Sequence, residues 1–179
     1  MPTDEELMLA YSAGNQQAFR TLFERYAPLL LRLMRRGIRR ESEAQDLVQQ
    51  TFMQLHRARN DFRKDARLRP WLMTIALNLK REMLRRTKRR PETLVAEHYH
   101  EASESPADPV EQQQTSVIVR QALSQLPDNQ REVIELHWFE EMSFPEISDI
   151  LGASLSAVKV RAHRGYKRLK EMLAKHQLH

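Results

Sequence analysis

The chain contains no cysteine, only four glycines among its 179 residues, and no apolar run long enough to cross a bilayer. Without cysteine there can be no disulfides, thiolate metal sites or cysteine nucleophiles, and the sequence fits a reducing compartment. The N-terminal residues, Met1 to Leu9, are acidic and lack the apolar centre of a signal peptide. These absences predict a cytoplasmic protein without a membrane span.

Strand-forming sequence is also scarce. The chain has few runs of Val, Ile, Thr or Tyr, whereas the helix-favouring residues Leu, Arg, Glu, Gln and Ala are abundant. We therefore predict an all-α fold made of two small helical domains, an N-terminal helical bundle and a C-terminal helix-turn-helix, joined by a flexible acidic linker.

Charge is distributed unevenly along the chain. Lys and Arg number 20 against 10 Asp and Glu in residues 1–90, 0 against 6 in residues 91–115, and 9 against 8 in residues 116–179. Residues 150–179 alone carry 7 basic side chains and 1 acidic one. Two basic segments separated by acidic sequence predict a protein that holds a polyanion at two places.

Residues 1–90 form the first predicted domain. Thr3 with Glu6, and Ser42 with Gln45, have the spacing of capping boxes that begin helices. Apolar residues then recur every three or four positions, which is the period of a helix with one buried face. The two clearest sets are Ala18, Phe19, Leu22, Phe23 and Tyr26, and Leu47, Val48, Thr51, Phe52 and Leu55.

Residues 60–69 lose this periodicity and are predicted to form a loop, followed by a helix with Pro70 near its start. That helix is predicted to bury Trp71, Leu72, Ile75, Ala76, Leu79 and Met83. Its other side carries a polar stripe of Thr74, Asn78, Arg81 and Arg85, with further charge from Lys80, Arg86, Lys88, Arg89 and Arg90. Asn can pair with a base edge and Arg with phosphates, so the stripe indicates nucleic-acid binding. A solvated basic helix is the alternative.

Residues 91–115 lack periodicity, contain three prolines and are rich in Glu, Ser, Ala and Gln, which predicts a flexible linker. Its six carboxylates could mimic RNA phosphates in a positive channel, or serve only as a solubilising spacer.

Residues 116–179 form the second predicted domain. Ser143, Pro145 and Glu146 give a capping box that opens a short helix, Gly152 marks a turn, and a long basic helix follows. This order predicts a helix-turn-helix. Val158, Ala162, Leu169 and Leu173 are predicted to face inward. The outward residues, which would meet base edges and phosphates in a major groove, are Ser156, Lys159, Val160, His163, Arg164 and Lys167. A solvated amphipathic helix is the alternative.

Two sets of motifs resemble a known family. Asp46-Leu-Val-Gln-Gln-Thr-Phe52, Phe62-Arg63 and Trp71-Leu-x-x-Ile-Ala-x-Asn78 resemble region two of the extracytoplasmic-function (ECF) sigma factors of bacterial RNA polymerase. Leu126-Pro-x-x-x-Arg131, Ser143 to Lys159 and Arg161 to Leu169 resemble their region four. The resemblance covers nearly the whole chain except the linker. The family usually has an acidic residue where this chain has Gln50.

The resemblance implies a function for each motif. One surface would dock on the clamp coiled coil of core polymerase: Asp46, Gln49, Gln50 and Phe52. The start-proximal promoter element, with a base flipped out of the stack, would be held by the loop residues Asp61, Phe62, Arg63, Lys64, Asp65, Arg67 and Arg69 and by Asn78. The polar stripe adds Thr74, Arg81 and Arg85 to this predicted set. The upstream duplex element would be read by Ser156, Lys159, Val160, Arg161, His163, Arg164 and Lys167.

These expectations describe a promoter-recognition subunit and not an enzyme. The sequence has no phosphate-binding glycine loop and no metal-ligand or paired-carboxylate motif, so we expect no cofactor and no metal. The expected partners are core RNA polymerase, through its clamp coiled coil and flap, promoter DNA as duplex and as melted non-template strand, and an anti-sigma factor. A stand-alone helix-turn-helix regulator and a sigma-like decoy that binds only an anti-sigma factor remain as alternatives.

Overall fold

A computed structural model describes residues 1–89 and 110–176. These residues contain eight α-helices and a single 3₁₀ turn, Arg59–Asp61, and they confirm the predicted all-α fold. The helices are α1 Asp4–Ser12, α2 Gln16–Arg35, α3 Glu41–Arg57, α4 Leu68–Arg89, α5 Val110–Ser124, α6 Asp128–Trp138, α7 Phe144–Leu151 and α8 Leu155–His176. No helix within the described ranges is long and apolar enough to cross a membrane.

The chain divides into two compact units, Met1–Ala102 and Ser103–His179. The division falls inside the segment predicted as a linker. Residues 90–109, which hold most of that segment, lie outside the described residues, whereas α5 begins at Val110, before the predicted start of the second domain.

Unit 1 is built from α1 to α4, each packed against the next, and α1 also contacts α4 and the 3₁₀ turn. The predicted capping box at Thr3 and Glu6 is confirmed, since each residue's side chain accepts the other's backbone amide hydrogen. The box predicted at Ser42 and Gln45 is wrong. α3 already begins at Glu41, so Ser42 lies inside the helix and Gln45 donates to the Glu41 carboxylate at 3.2 Å.

The core of unit 1 comes from apolar residues of all four helices. The largest fully buried side chains are Met8, Leu22, Leu30, Leu33, Met34, Leu55, Leu68, Leu72 and Met73. Burying each of these side chains stabilises the bundle by about 1.5–3 kcal/mol before the loss of side-chain entropy.

Unit 2 is arranged around α8, which packs against α5, α6 and α7. Leu123, Leu126 and Ile134 form one buried cluster, and Val119, Tyr166, Leu169 and Met172 cover it. The long basic helix therefore packs on the unit through one side, and the side chains on its other side are exposed.

Candidate nucleic-acid interface

The segment between the 3₁₀ turn and α4, residues 62–67, is called here the α3–α4 loop. Phe62 is buried, and its ring centroid lies 5.3 Å from that of Trp71, so it anchors the loop to α4. Its predicted contact with a base is therefore corrected, because an apolar ring at the first loop position packs inward. Arg69 also leaves the predicted loop, since α4 begins at Leu68 and places Arg69 in its first turn.

The outer surface of the loop is charged. Arg63, Lys64, Asp65 and Arg67 are all exposed, as is Asp61 in the preceding 3₁₀ turn. The Arg63 guanidinium donates two hydrogen bonds to Asp65, at 3.1 and 2.8 Å. These hydrogen bonds lower the pKa of the Asp65 carboxyl, which keeps it ionised beside Arg63.

The polar stripe on α4 faces outward along its length. Asn78 and Arg85 are exposed, while Thr74 and Arg81 are half-buried. Arg81 donates to Asn78 Oδ1 at 3.1 Å, which fixes the orientation of the Asn78 amide and leaves its NH₂ group pointing away from Arg81. Thr74 donates its hydroxyl to the Pro70 carbonyl at 2.9 Å.

The buried face of α4 is rotated from the predicted one. Leu72, Met73, Ala76 and Leu77 are buried, whereas Trp71, Ile75 and Met83 remain half-exposed. Trp71 and Ile75 consequently share the outward half of the helix with Asn78, which follows them along α4.

The prediction that Lys80 adds charge to this surface is wrong. Its side chain is 6% exposed, and Nζ donates to the Leu33 carbonyl near the end of α2 at 2.8 Å. The last carbonyls of a helix have no amide partner within it, and Lys80 satisfies one of them from a neighbouring helix.

A second outward surface lies on α3. Asp46, Gln49 and Gln50 are exposed together, and Met53, which is 52% exposed, lies one turn further along. Sequence reasoning missed Met53, although its spacing from Gln49 and Gln50 places it on the same face.

Phe52 is a correction to the predicted docking residues. It is only 4% exposed, and its ring packs 4.7 Å from Phe23 and 6.0 Å from Phe19. Phe52 therefore holds α3 against α2 from inside, and Phe23, predicted to be buried, is exposed at the edge of this aromatic cluster.

In unit 2, α7, a turn and α8 form the predicted helix-turn-helix. The Ser143–Glu146 capping box begins α7, and Gly152, with a φ of 59°, ends it in the left-handed conformation that suits glycine. Ser154 then caps α8 by accepting the Ala157 amide hydrogen at 3.2 Å.

The predicted reading face of α8 is exposed, with Arg161 half-buried at its edge. Its inward residues Val158 and Ala162 are buried. The exposed side chains form one stripe on the N-terminal half of the helix: Ser156, Lys159, Val160, His163, Arg164 and Lys167. Val160 is an aliphatic side chain, 47% exposed, among cationic neighbours.

An aromatic pair lies at the end of α6. Trp138, which periodicity assigned to the apolar set of its helix, is 66% exposed, and Phe139 beside it is also exposed. The Trp138 ring meets Tyr166 of α8 edge-on, at a centroid distance of 6.5 Å.

Comparison with known proteins identifies both units. Residues 22–90 match the family model described as Sigma-70 region 2, and residues 116–169 match the one described as Sigma-70, region 4. RNA polymerase sigma factor CarQ of Myxococcus xanthus is 36% identical over 174 residues, covering 96% of this chain and 98% of that protein. ECF RNA polymerase sigma factor SigM of Mycobacterium tuberculosis is 33% identical and covers 96% and 85%.

The chain belongs to the ECF family of RNA polymerase sigma factors. Among solved structures it resembles CnrH, determined in complex with the cytosolic domain of CnrY, with a TM-score of 0.74 and 29% identity over 96% of this chain and 97% of that one. This sigma factor recognises promoters together with RNA polymerase. A stand-alone regulator is disfavoured, because it would need no counterpart of region 2.

Proposed function

We propose that the two units of this sigma factor divide promoter recognition between melted and duplex DNA. Unit 1 would capture unstacked bases of the start-proximal element, and α8 of unit 2 would read the duplex of the upstream element. The free energy for opening the promoter would then come from binding and not from nucleotide hydrolysis. Contacts to the exposed strand would offset an unpairing cost of about a few kcal/mol. The protein would catalyse no reaction itself.

The observation that carries this proposal is the continuous outward surface of the α3–α4 loop and α4. The cations Arg63, Lys64 and Arg67 suit phosphates, while the half-exposed Trp71 offers a flat ring for stacking. Phe62 ties the loop to Trp71, and Asn78 lies on the same side of α4 two turns further on. A paired duplex shields its base faces, so a stacking surface beside a hydrogen-bonding amide suits unpaired bases.

The exposed stripe of α8 supports duplex reading. Arg164 can donate two hydrogen bonds to a guanine edge, Lys159 and Lys167 can contact phosphates, and the exposed Val160 can pack on a thymine methyl group. A basic helix that only faced solvent would not need an exposed aliphatic side chain for packing on a base.

Docking on core polymerase would use a mostly polar surface of unit 1 and an aromatic surface of unit 2. On α3, the exposed Asp46, Gln49, Gln50 and Met53 would contact the clamp coiled coil. In unit 2, the exposed Trp138 and Phe139 would contact the flap, because exposed aromatic pairs are typical of binding hot spots.

Regulation would come from an anti-sigma factor. The similar protein CnrH was solved in complex with the cytosolic domain of CnrY, and a partner protein would bind this chain in a comparable way. The acidic segment that precedes α5 would act as a linker near nascent RNA. A polymerase subunit works on the chromosome, so the cytoplasm is the proposed location.

The test separates base capture from recruitment. In reconstituted holoenzyme, Asn78→Ala should leave core binding and closed-complex formation nearly unchanged and reduce strand opening. The mutant should also bind a pre-melted template more weakly than wild type, because prior melting removes only the unpairing cost. The expected loss of binding free energy is about 1 kcal/mol, for one lost hydrogen bond. Asn129→Ala, which removes an exposed amide on α6, is the matched control. Wild-type affinity of Asn78→Ala for the exposed strand would exclude this residue from the reading surface.

A further inference from the structure

Helix α1 holds both ends of the segment that contains the α3–α4 loop. At the first end, Ser12 Oγ at the last position of α1 donates to the Arg59 carbonyl at 2.8 Å. At the second end, the Leu68 amide, which begins α4, donates to Glu5 Oε1 at 3.1 Å. The N-terminal amides of a helix have no partner within it, so Glu5 caps α4 from 63 residues away in sequence.

The other contacts of α1 fix it to the bundle. Asp4 accepts hydrogen bonds from Tyr26 at 2.5 Å and from Arg25 at 2.7 Å, both on α2. Burial and the Asp4 hydrogen bond raise the pKa of Tyr26, so its hydroxyl remains a donor. Tyr11 is hydrogen-bonded to His56 of α3, close to the 3₁₀ turn. α1 is therefore an anchored support, and its two contacts to the loop segment are made from a fixed position.

We propose that Glu5 and Ser12 are positioning residues that set the conformation of the α3–α4 loop for binding the melted promoter strand. This inference rests on the proposed function of the loop. The family match for region 2 begins at residue 22, so α1 lies outside it. The loop's cations are exposed, and the loop ends decide where those cations lie relative to Trp71 and Asn78. A loop held in its bound conformation loses less entropy on binding.

A purely structural role for α1 predicts a different result. α1 buries Leu7, Met8 and Tyr11, so any change that weakens the helix would lower the stability of unit 1. Glu5 and Glu6 separate the two roles, because they are adjacent carboxylates in the same helical turn. The Glu5 carboxylate accepts the Leu68 amide hydrogen of α4, whereas the Glu6 carboxylate accepts the Thr3 amide hydrogen within the capping box.

The experiment measures the affinity of full-length holoenzyme for a single-stranded non-template oligonucleotide carrying the start-proximal element. Glu5→Ala should weaken binding about fivefold, which corresponds to one lost hydrogen bond that orders the loop. Glu5→Gln, which keeps the accepting oxygen, should restore affinity to within about twofold of wild type. Glu6→Ala removes the same charge and the capping box, and should leave the affinity unchanged although α1 is weakened. Affinity for the upstream duplex element should be unaffected in all three.

Ser12→Ala tests the other end of the loop and should also weaken strand binding, so that a failure of Glu5→Ala to fold would still leave a test. Equal losses from Glu5→Ala and Glu6→Ala would overturn the proposal in favour of general stabilisation by α1. Wild-type affinity of both Glu5→Ala and Ser12→Ala would overturn it as well.

Replacing residues 63–67 by Gly and Ser separates this failure from that of the proposed function. If that replacement weakens strand binding while Glu5→Ala and Ser12→Ala do not, only the role of α1 is wrong, and if it has no effect, the loop does not bind the strand.

Discussion

Lys80 shows how a single charged side chain can be part of a helical core. Its ammonium group lies inside unit 1 and donates to the Leu33 carbonyl in the last turn of α2, where a carbonyl has no amide partner within its own helix. The negative end of the α2 dipole also favours a cation there. A Cβ added at Gly37, which has a φ of 111°, would lie 3.6 Å from Lys80 Cε, so the turn after α2 packs closely over this side chain.

Replacing Lys80 by Met keeps the length of the side chain and removes the donor. We expect Lys80→Met to lower the free energy of unfolding of unit 1 by about 1–3 kcal/mol, because the Leu33 carbonyl is left buried without this partner. Urea unfolding followed by Trp71 fluorescence measures the effect in a Trp138→Phe background, since the chain has two tryptophans. Arg86→Met, an exposed cation on the same helix, is the control and should change stability by less than about 0.5 kcal/mol. Equal stabilities of the two variants would contradict the capping role.

The sequence predicted exposed side chains well where the period of their own helix determines their exposure. Asn78 and Arg164 are exposed, as the helical period indicates. It failed for Lys80, whose burial depends on the end of α2, far away in sequence. The burial of Phe52 follows the predicted helical period, and conflicts only with the docking role that the resemblance implied.

At the scale of elements, the helix termini were predictable where a capping box supplies both hydrogen bonds. Thr3 with Glu6 and Ser143 with Glu146 begin their helices as predicted. Ser42 with Gln45 has the same spacing but lies within α3, since Glu41 already starts that helix and pairs with Arg35 at 2.6 Å. On α4, Leu72, Ala76 and Leu79 are buried as predicted. Periodicity alone did not separate the half-exposed Trp71 and Ile75 from the buried Met73 and Leu77.

The exposed stripe of α8 leads to a prediction for the upstream element. Arg164→Ala should weaken duplex binding by about 1–3 kcal/mol and relax the preference for one base pair, if the side chain reads a base edge. Lys159→Ala should weaken binding uniformly across sequences and reduce the salt slope by about 1, as expected for a phosphate contact. Titrations of holoenzyme with promoter variants at several salt concentrations distinguish the two effects.

The matched control for α8 is Arg168→Ala, an exposed cation one turn after Arg164 and outside the predicted reading residues, which changes the net charge equally. It should leave the sequence preference unchanged. If Arg164→Ala and Arg168→Ala had the same small effect at every sequence, the stripe would act only through its charge.

At the scale of the whole molecule, neither unit needs high affinity for DNA. Two modest contacts joined in one chain and attached to one polymerase reinforce each other, since binding of the first raises the effective concentration of the second. The segregation of charge fits this arrangement. Residues 1–90 and 150–179 are basic, whereas residues 91–149 carry 2 basic side chains against 13 acidic ones, with 0 against 6 before residue 116 and 2 against 7 after it.

The acidic linker gives the last prediction. If its carboxylates mimic RNA phosphates, a growing transcript has to displace them, and neutralising them should ease that step. Changing Glu97, Glu101 and Glu104 together to Gln should leave promoter binding and strand opening intact and shift synthesis from abortive to full-length product. A second triple variant, with Glu132, Glu135 and Glu141 of unit 2 changed to Gln, removes the same charge elsewhere and should not alter the ratio. Unchanged product ratios in the linker variant would leave the linker as a spacer, because only a segment that competes with RNA can couple its charge to transcript length.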